Sequence, residues 1–305
     1  MKSKTHILTI ATCIAALASC SEWTQPRLVE YPLTHPWDTD PQEWAEYTAS
    51  LREYRTTPHN IVYAVFHNSP DRIQSEKNSL RCLADSVDIV SLANADNISS
   101  FDTEDFGILK EKGIKILYQI DYASRSGEFA DKASLAAYID SAIEAVSGYG
   151  LDGWAFTGTY RWGDSASAEA SALIFDRLNG ARTGQQLIVF EGNPQFVAEK
   201  DRRKLDYVVL DTGDIQRPGS ILTAASSAVS SGVPAKRLLL SAKVGAFIID
   251  SGSKEADAVT EMAGILVSSG QYGGLAVYGI EDDYYSPDGN YLTVRSAIRT
   301  LNPVK

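Results

Sequence analysis

Leu151-Asp152-Gly153-Trp154-Ala155-Phe156-Thr157-Gly158-Thr159-Tyr160 follows a helix-patterned segment that ends at Gly150. It reads as a short buried strand. Alternation puts Ala155, Thr157 and Thr159 on one face and Trp154, Phe156 and Gly158 on the other. In a parallel barrel the small face points to the centre and the bulky face lies under the surrounding helices. Polar residues at the C-terminal end of such a strand stand where barrel proteins keep their sites. Here that end offers two hydroxyls and no acid.

Working outward, the same unit recurs. Strand-like runs lie at Asn60–His67, Val87–Asn94, Ile114–Asp121, Leu151–Gly158, Gln186–Glu191, Leu205–Asp211, Arg237–Lys243 and Gly274–Ile280. Each is nearly all apolar, as a strand buried on both faces must be. Between them lie helix patterns, clearest at Leu135, Tyr138, Ile139, Ala142, Ile143 and Val146, and again from Ala256 through Val259, Met262, Ala263 and Leu266 to Val267. A last helix is expected over about Tyr291–Leu301, and a leading one over Pro41–Arg55 with Trp44, Tyr47, Leu51 and Tyr54 in register. Gly113, Gly150, Gly184 and Gly273 precede strands, where a helix stops and the chain turns back. Eight β-then-α units over about 250 residues predict an α/β chain folded as a (β/α)8 TIM barrel over 41–305. An open doubly wound sheet usually has fewer strands and a Gly-rich phosphate turn, which is not found.

The N-terminus reads as a targeting segment. Lys2 and Lys4 precede an apolar run, Ile7 to Ala16, that is too short to span a bilayer. Leu17-Ala18-Ser19-Cys20 resembles the lipobox of bacterial lipoproteins, which implies a signal peptide over 1–19 and lipid on Cys20. Residues 20–40, with Pro26, Pro32 and Pro36, then form a tether. The expected location is the outer membrane of a bacterium, on the cell surface. Once Cys13 and Cys20 are set aside only Cys82 remains, a core residue beside Leu80 and Leu83, so no disulfide and no Cys-based metal site is expected. The net charge of −11 argues against nucleic acid and anionic lipid surfaces as partners.

The barrel mouth follows from the strand ends. It receives His67 and Asn68; Asn94, Asp96 and Asn97; Asp121 and Tyr122; Thr157, Thr159, Tyr160 and Trp162; Glu191 and Asn193; Asp211 and Asp214; Lys243; and Tyr278 with Glu281, Asp282, Asp283, Tyr284 and Tyr285. Amides, carboxylates and aromatic rings together suit a sugar, whose hydroxyls take hydrogen bonds and whose C–H faces stack on rings. The same acids and amides also collect at strand ends to cap helices. There are four His in all and no pair at ligand spacing, so no metal or other cofactor is expected. A Gly-x-Ser-x-Gly elbow is also lacking.

The stretch 152–159 resembles the Asp-Gly-x-Asp-x-Asp-x-Glu signature of glycoside hydrolase family 18, the chitinases and endo-β-N-acetylglucosaminidases built on (β/α)8 barrels. Asp152 and Gly153 match its opening pair, while its three later acids fall on Ala155, Thr157 and Thr159. Val-Phe-Glu-Gly-Asn-Pro after the fifth strand, Glu-Asp-Asp-Tyr-Tyr after the eighth, and the lipobox add to a resemblance to family 18-like lipoproteins of glycan-foraging gut bacteria. In that family the N-acetyl group of the substrate attacks the anomeric carbon. The motif's Glu protonates the leaving oxygen, and the preceding Asp orients the acetamide. A threonine cannot donate that proton near neutral pH, and general acid help is worth about 10²–10⁴-fold.

The resemblance therefore implies a catalytically inactive homologue, a monomer that holds GlcNAc-containing, N-linked glycans for a transporter complex and for true glycosidases. Its expected glycan contacts are Asp121, Tyr122, Thr157, Thr159, Tyr160, Trp162, Glu191, Asn193, Asp211, Tyr278, Asp282 and Tyr284, with Tyr278 where the family places a platform tryptophan. The alternative is an active endo-β-N-acetylglucosaminidase with relocated acids drawn from Asp121, Glu191, Asp211 and Glu281, two of which could stand about 5–9.5 Å apart. A scaffold that meets only protein partners would have no glycan affinity.

Overall fold

A computed structural model of the protein describes residues 35–68, 75–249 and 252–303. The signal segment, Cys20 and most of the expected tether lie outside the described residues. The chain divides into two units between Ala45 and Glu46. In the first, a helical turn at Pro36–Thr39 lies within the stretch read as tether. Pro36 supplies a preset φ at its start, and Asp40 accepts from the N–H groups of Gln42 and Glu43 to open the next helix, Pro41–Thr56. Trp37 stacks on His35 and meets Trp44 edge-on.

The second unit is the barrel. Its strands are β1 (Ile61–Phe66), β2 (Ile89–Leu92), β3 (Lys115–Ile120), β4 (Gly153–Gly158), β5 (Leu187–Gly192), β6 (Tyr207–Leu210), β7 (Leu238–Lys243) and, after a small antiparallel hairpin of β8 (Phe247–Ile249) and β9 (Glu255–Asp257), β10 (Gly274–Tyr278). The eight long ones pair in parallel and close in the order β1-β10-β7-β6-β5-β4-β3-β2. Each lies inside the run expected for it, except that β5 extends one residue further to Gly192, so the (β/α)8 barrel stands. The hairpin of β8 and β9 was not anticipated. Ala256 belongs to it, and the following helix begins only at Ala258, capped by Asp257.

Alternation sorts the side chains into two layers. Tyr63, Val65, Ile89, Leu117, Ala155, Val189, Val209, Leu239 and Ala276 fill the barrel interior. Trp154, Phe156, Phe190 and the other residues of opposite parity join the helices in the outer core. The Trp154 indole N–H donates to Ala142 O on helix Lys132–Tyr149 at 3.3 Å, so the bulky face of β4 is anchored where the alternation put it. Cys82 sits half-buried in a 3-10 turn, Leu80–Cys82, and packs against this outer core.

Helix ends obey local chemistry. Ser99 and Asp131 open their helices through capping boxes, and Gly113 and Gly150 close theirs in the left-handed conformation. At the N-terminal rim a single device recurs. Asp88 accepts from Val62 N, Asp152 from Ile116 N and Asp206 from Ile188 N, at 2.8, 3.0 and 2.8 Å. Each carboxylate precedes an even-numbered strand and clamps the strand before it. Asp152 is thus a structural clamp at the rim opposite the mouth, reinforced by Lys115 at 2.8 Å.

Gly153 has a reason of its own. Its φ is +144°, and a Cβ there would lie 2.1 Å from Leu187 O on the paired strand. Backbone cannot yield as a flexible side chain can. Gly153→Ala is expected to destabilise the barrel by about 2–4 kcal/mol, whereas Gly148→Ala, with open space around it, is expected to be neutral or mildly stabilising. Urea unfolding of both variants checks this; equal midpoints would refute the close-approach argument.

Candidate functional site

The parity that fills the barrel interior also carries one polar residue per strand upward on several strands. Ser91 follows Ile89, Gln119 follows Leu117, Thr157 follows Ala155, Glu191 follows Val189, and Tyr278 follows Ala276. With Thr157 beside it in register, Glu191 gathers the others. Its Oε1 accepts from the Tyr63 hydroxyl at 2.7 Å and the Ser91 hydroxyl at 2.9 Å. Its Oε2 accepts from Gln119 Nε2 at 2.9 Å and the Tyr278 hydroxyl at 3.1 Å. Four neutral donors from four strands thus occupy both oxygens, and the residue is only 4% exposed. Burial pushes the Glu191 carboxyl up from its ordinary value while the four bonds pull it down. Burial first, and then the carboxylate, drive the Tyr63 and Tyr278 phenols well up.

Above this layer lies the mouth. Thr157, on the position of the motif's orienting acid, donates to Asp121 Oδ1 at 2.7 Å and accepts from Ala123 N at 2.9 Å. Asp121 also caps the following turn through Ser124 N and takes the Ser124 hydroxyl. Thr159, on the proton-donor position, is exposed. Beside them, where β2 and β3 end, a cavity of about 290 Å³ is lined by Asn94, Asp96, Asn97, Gln119, Asp121 and Arg125 among others. A neighbouring cavity of about 560 Å³ shares Asp96, Asn97, Arg125 and Tyr138 with it and extends past Tyr118 and Ser141. Arg125 lies 4.6 Å over the Tyr138 ring and pairs with Asp96 and Glu128, and Asp96 also takes the Tyr118 hydroxyl. Amide, carboxylate, guanidinium and phenol groups together line a polar, aromatic-walled groove.

The expected contacts divide. Asp121 and Thr157 are bonded to each other, Thr157 is the register partner of Glu191, and Tyr278 bonds Glu191. Asn193 and Asp211 line one cavity of about 280 Å³, Asn193 also capping Gln195 N. Trp162 is 92% exposed on the loop after β4, and Tyr160 is half-buried against the outer core. Asp282 is exposed and pairs with Lys77 at 3.1 Å. Three of the expected contacts face away from open space. Tyr122 is buried between Phe129 and Phe196, because a strand-end aromatic that turns outward joins the helical layer. Tyr284 is buried too, its hydroxyl on Glu76 and its ring edge-on to Tyr291. Glu191 faces the interior donors rather than open space.

Gln119, Ser91 and Tyr63 were missed, although an isolated polar residue in an otherwise apolar strand is a readable sign of a buried network. Arg125, Tyr118 and Tyr138 were missed because the helix pattern alone accounts for Tyr138 and nothing local marks Arg125. Asn68, read as a mouth residue, is buried and bonded to Asn94 and Asp102. His67 and Glu281 pair at 2.6 Å across the seam where the barrel closes. Among the described residues no three His, Cys, Asp or Glu side chains cluster as metal ligands.

Comparison with known proteins agrees with this architecture. A family described as glycoside hydrolase family 18, BT1044-like, matches residues 28–130, about a third of the chain. The matched stretch ends before the altered motif of β4. Among solved structures, BT1044, crystallised as a selenomethionine Glu-to-Gln variant, superposes with a TM-score of 0.69 at 19% identity over 88% of this chain and 96% of that one. An endo-β-N-acetylglucosaminidase from Cordyceps militaris, a doubly substituted form in complex with fucosyl-N-acetylglucosamine-Asn, gives 0.65 at 18% identity over 84% and 95%. A chitinase from Bacteroides thetaiotaomicron gives 0.59 at 11% over 80% and 97%. The chain resembles family 18 in that sequence match and shares the barrel of family 18 enzymes. No curated protein matches it.

The Glu191 network makes a prediction with a sign. A folded-state carboxyl raised above its unfolded value contributes stability at low pH that is lost as pH climbs through the raised value. Glu191→Gln removes that titration, so its stability deficit against the parent should shrink as pH rises above the ordinary carboxylate range. Glu191→Leu strands four donors and should cost at least about 3 kcal/mol. Chemical denaturation at several pH values measures both; a deficit for Glu191→Gln that is constant with pH would refute the assignment.

Proposed function

We propose that the protein is a non-catalytic, glycan-binding member of a family 18-like system, which holds a GlcNAc-containing glycan of the N-linked kind at the barrel mouth. One observation carries the reading: a groove rich in sugar-binding groups adjoins a mouth in which the proton-donor position is Thr159. A hydroxyl there cannot replace a tuned carboxylic acid. Two of the neighbouring acids are already engaged. Glu191 would have to break bonds with four donors to act, and Asp121 is engaged by Thr157 and Ser124. The Cordyceps militaris structure holds a fucosylated GlcNAc-Asn, which favours a GlcNAc core as the ligand here. Trp162 is the ring best exposed for stacking on a sugar face. On this reading Cys20 carries lipid, the chain is tethered to the outer surface of a bacterial outer membrane, and the bound glycan is passed to a transporter and to active glycosidases.

The test uses the purified protein on immobilised N-glycoproteins of high-mannose and complex type, with mass spectrometry of released and retained material. Retention without release is expected. Trp162→Ala should weaken retention about two- to ten-fold, the scale of one aromatic contact worth ~0.5–1.5 kcal/mol. Catalytic release that vanishes with Asp121→Asn or Glu191→Gln would replace this reading with relocated acids. If nothing is retained or released, the glycan reading fails and a protein partner becomes the search.

A further inference from the structure

The mouth of the barrel is mostly acidic or neutral, with Asp121 and Asp211 at strand ends and a chain charge of −11. One corner is not. In the closed barrel β7, β10 and β1 are neighbours, and register sets Lys243 beside Tyr278 and Tyr278 beside Val65. Lys243 stands four residues after Leu239, an interior residue of β7, and His67 stands two after Val65, an interior residue of β1. Both therefore continue the inward-facing rows up to the rim.

Their charges are differently placed. His67 Nδ1 is 2.6 Å from Glu281 Oε1, and the ring is 59% exposed while Glu281 is buried. The other oxygen of Glu281, Oε2, is buried with no partner among the described residues. Charge on this buried carboxylate is thus balanced at hydrogen-bond distance by His67, which favours the imidazolium and leaves its Nε2–H to the mouth. The bond to Glu281 raises the imidazole above its ordinary value, burial opposes, and Asp282 and Lys243 push up and down respectively. Asp282 is in turn paired with Lys77. Lys243 is exposed, and its ammonium makes no ion pair or hydrogen bond with the described residues.

We propose that His67 and Lys243 form a subsite for the carboxylate of an acidic sugar, a sialic or uronic acid, within the glycan site proposed above and resting on that reading. An imidazolium N–H and a flexible ammonium, on rim positions that flank the end of β10, supply charge-assisted donors for the two oxygens of one carboxylate. Tyr278, level with Lys243, and the Asp211 and Asp282 carboxylates on either side set the neutral and repulsive limits of the subsite. A buried Glu281 makes the arrangement specific: it holds the His67 ring in place and maintains its charge without presenting its own to the ligand.

Calorimetric titration of the full chain with N-acetylneuraminic acid, glucuronic acid, N-acetylglucosamine and, as a simple anion, acetate tests this. Either or both acidic sugars should bind at least about ten-fold more tightly than N-acetylglucosamine, and acetate should not match them; the arm that binds names the source of the carboxylate. Lys243→Met and His67→Gln, the latter keeping a donor for Glu281, should each remove about ten-fold of that preference, with melting curves used to verify folding. The preference should hold at mildly acidic pH and fall as pH rises through the raised His67 value. If N-acetylglucosamine binds while the acidic sugars gain nothing, or the variants keep the preference, the subsite is refuted and the glycan reading survives. Acetate binding as tightly as the sugars refutes a sugar subsite. If no sugar binds, both fall.

Discussion

A carboxylate inside a closed barrel has no water to solvate it, so it must be surrounded by donors or carry a proton. Glu191 meets that constraint with bonds from Tyr63, Ser91, Gln119 and Tyr278. The layer below it is apolar, and the layer above it is the mouth. Because the four donors come from β1, β2, β3 and β10 and the acceptor from β5, the network spans the barrel and ties together the strands whose loops form the mouth. A one-residue slip of any of the donor strands would turn its donor into the helical layer and leave one oxygen a donor short. The network thus selects the register, and the register places the rim residues.

That arrangement bears on how the mouth differs from a hydrolase. Family 18 chemistry needs a carboxylic acid free to meet the glycosidic oxygen and a second acid beside it, on the inward row of the fourth strand. Here that row continues as Ala155, Thr157 and Thr159. Thr157 has become a link between Asp121 and the N–H of Ala123, which holds the loop after β3 against the end of β4. A hydroxyl in that place supports the shape of the mouth. The groove over β2 and β3 is lined by polar and aromatic groups, among them Asp96, Asn97, Arg125 and Tyr138.

Legibility followed sequence distance. The eight strands, the inward and outward faces of β4 and the helices between them could be read from alternation and glycine stops, since these depend on neighbours within a few residues. The hairpin of β8 and β9 could not, because its strands are three residues each and carry no alternation long enough to read. Tyr122 and Tyr284 misled for a related reason. A strand-end aromatic has the same sequence context whether it faces the mouth or the helices, and only the packed Phe129, Phe196 and Tyr291 rings decide.

By itself, then, the sequence determined the period of the barrel and the chemical identity of its strand ends, above all that Thr157 and Thr159 stand where the family 18 signature has acids. Only the tertiary structure decided which of those ends meet. His67 and Glu281 are 214 residues apart and Tyr63 and Glu191 are 128 apart, and nothing along the chain pairs them. Closure of β1 onto β10 does so, since a barrel brings its first and last strands side by side whatever their separation in sequence.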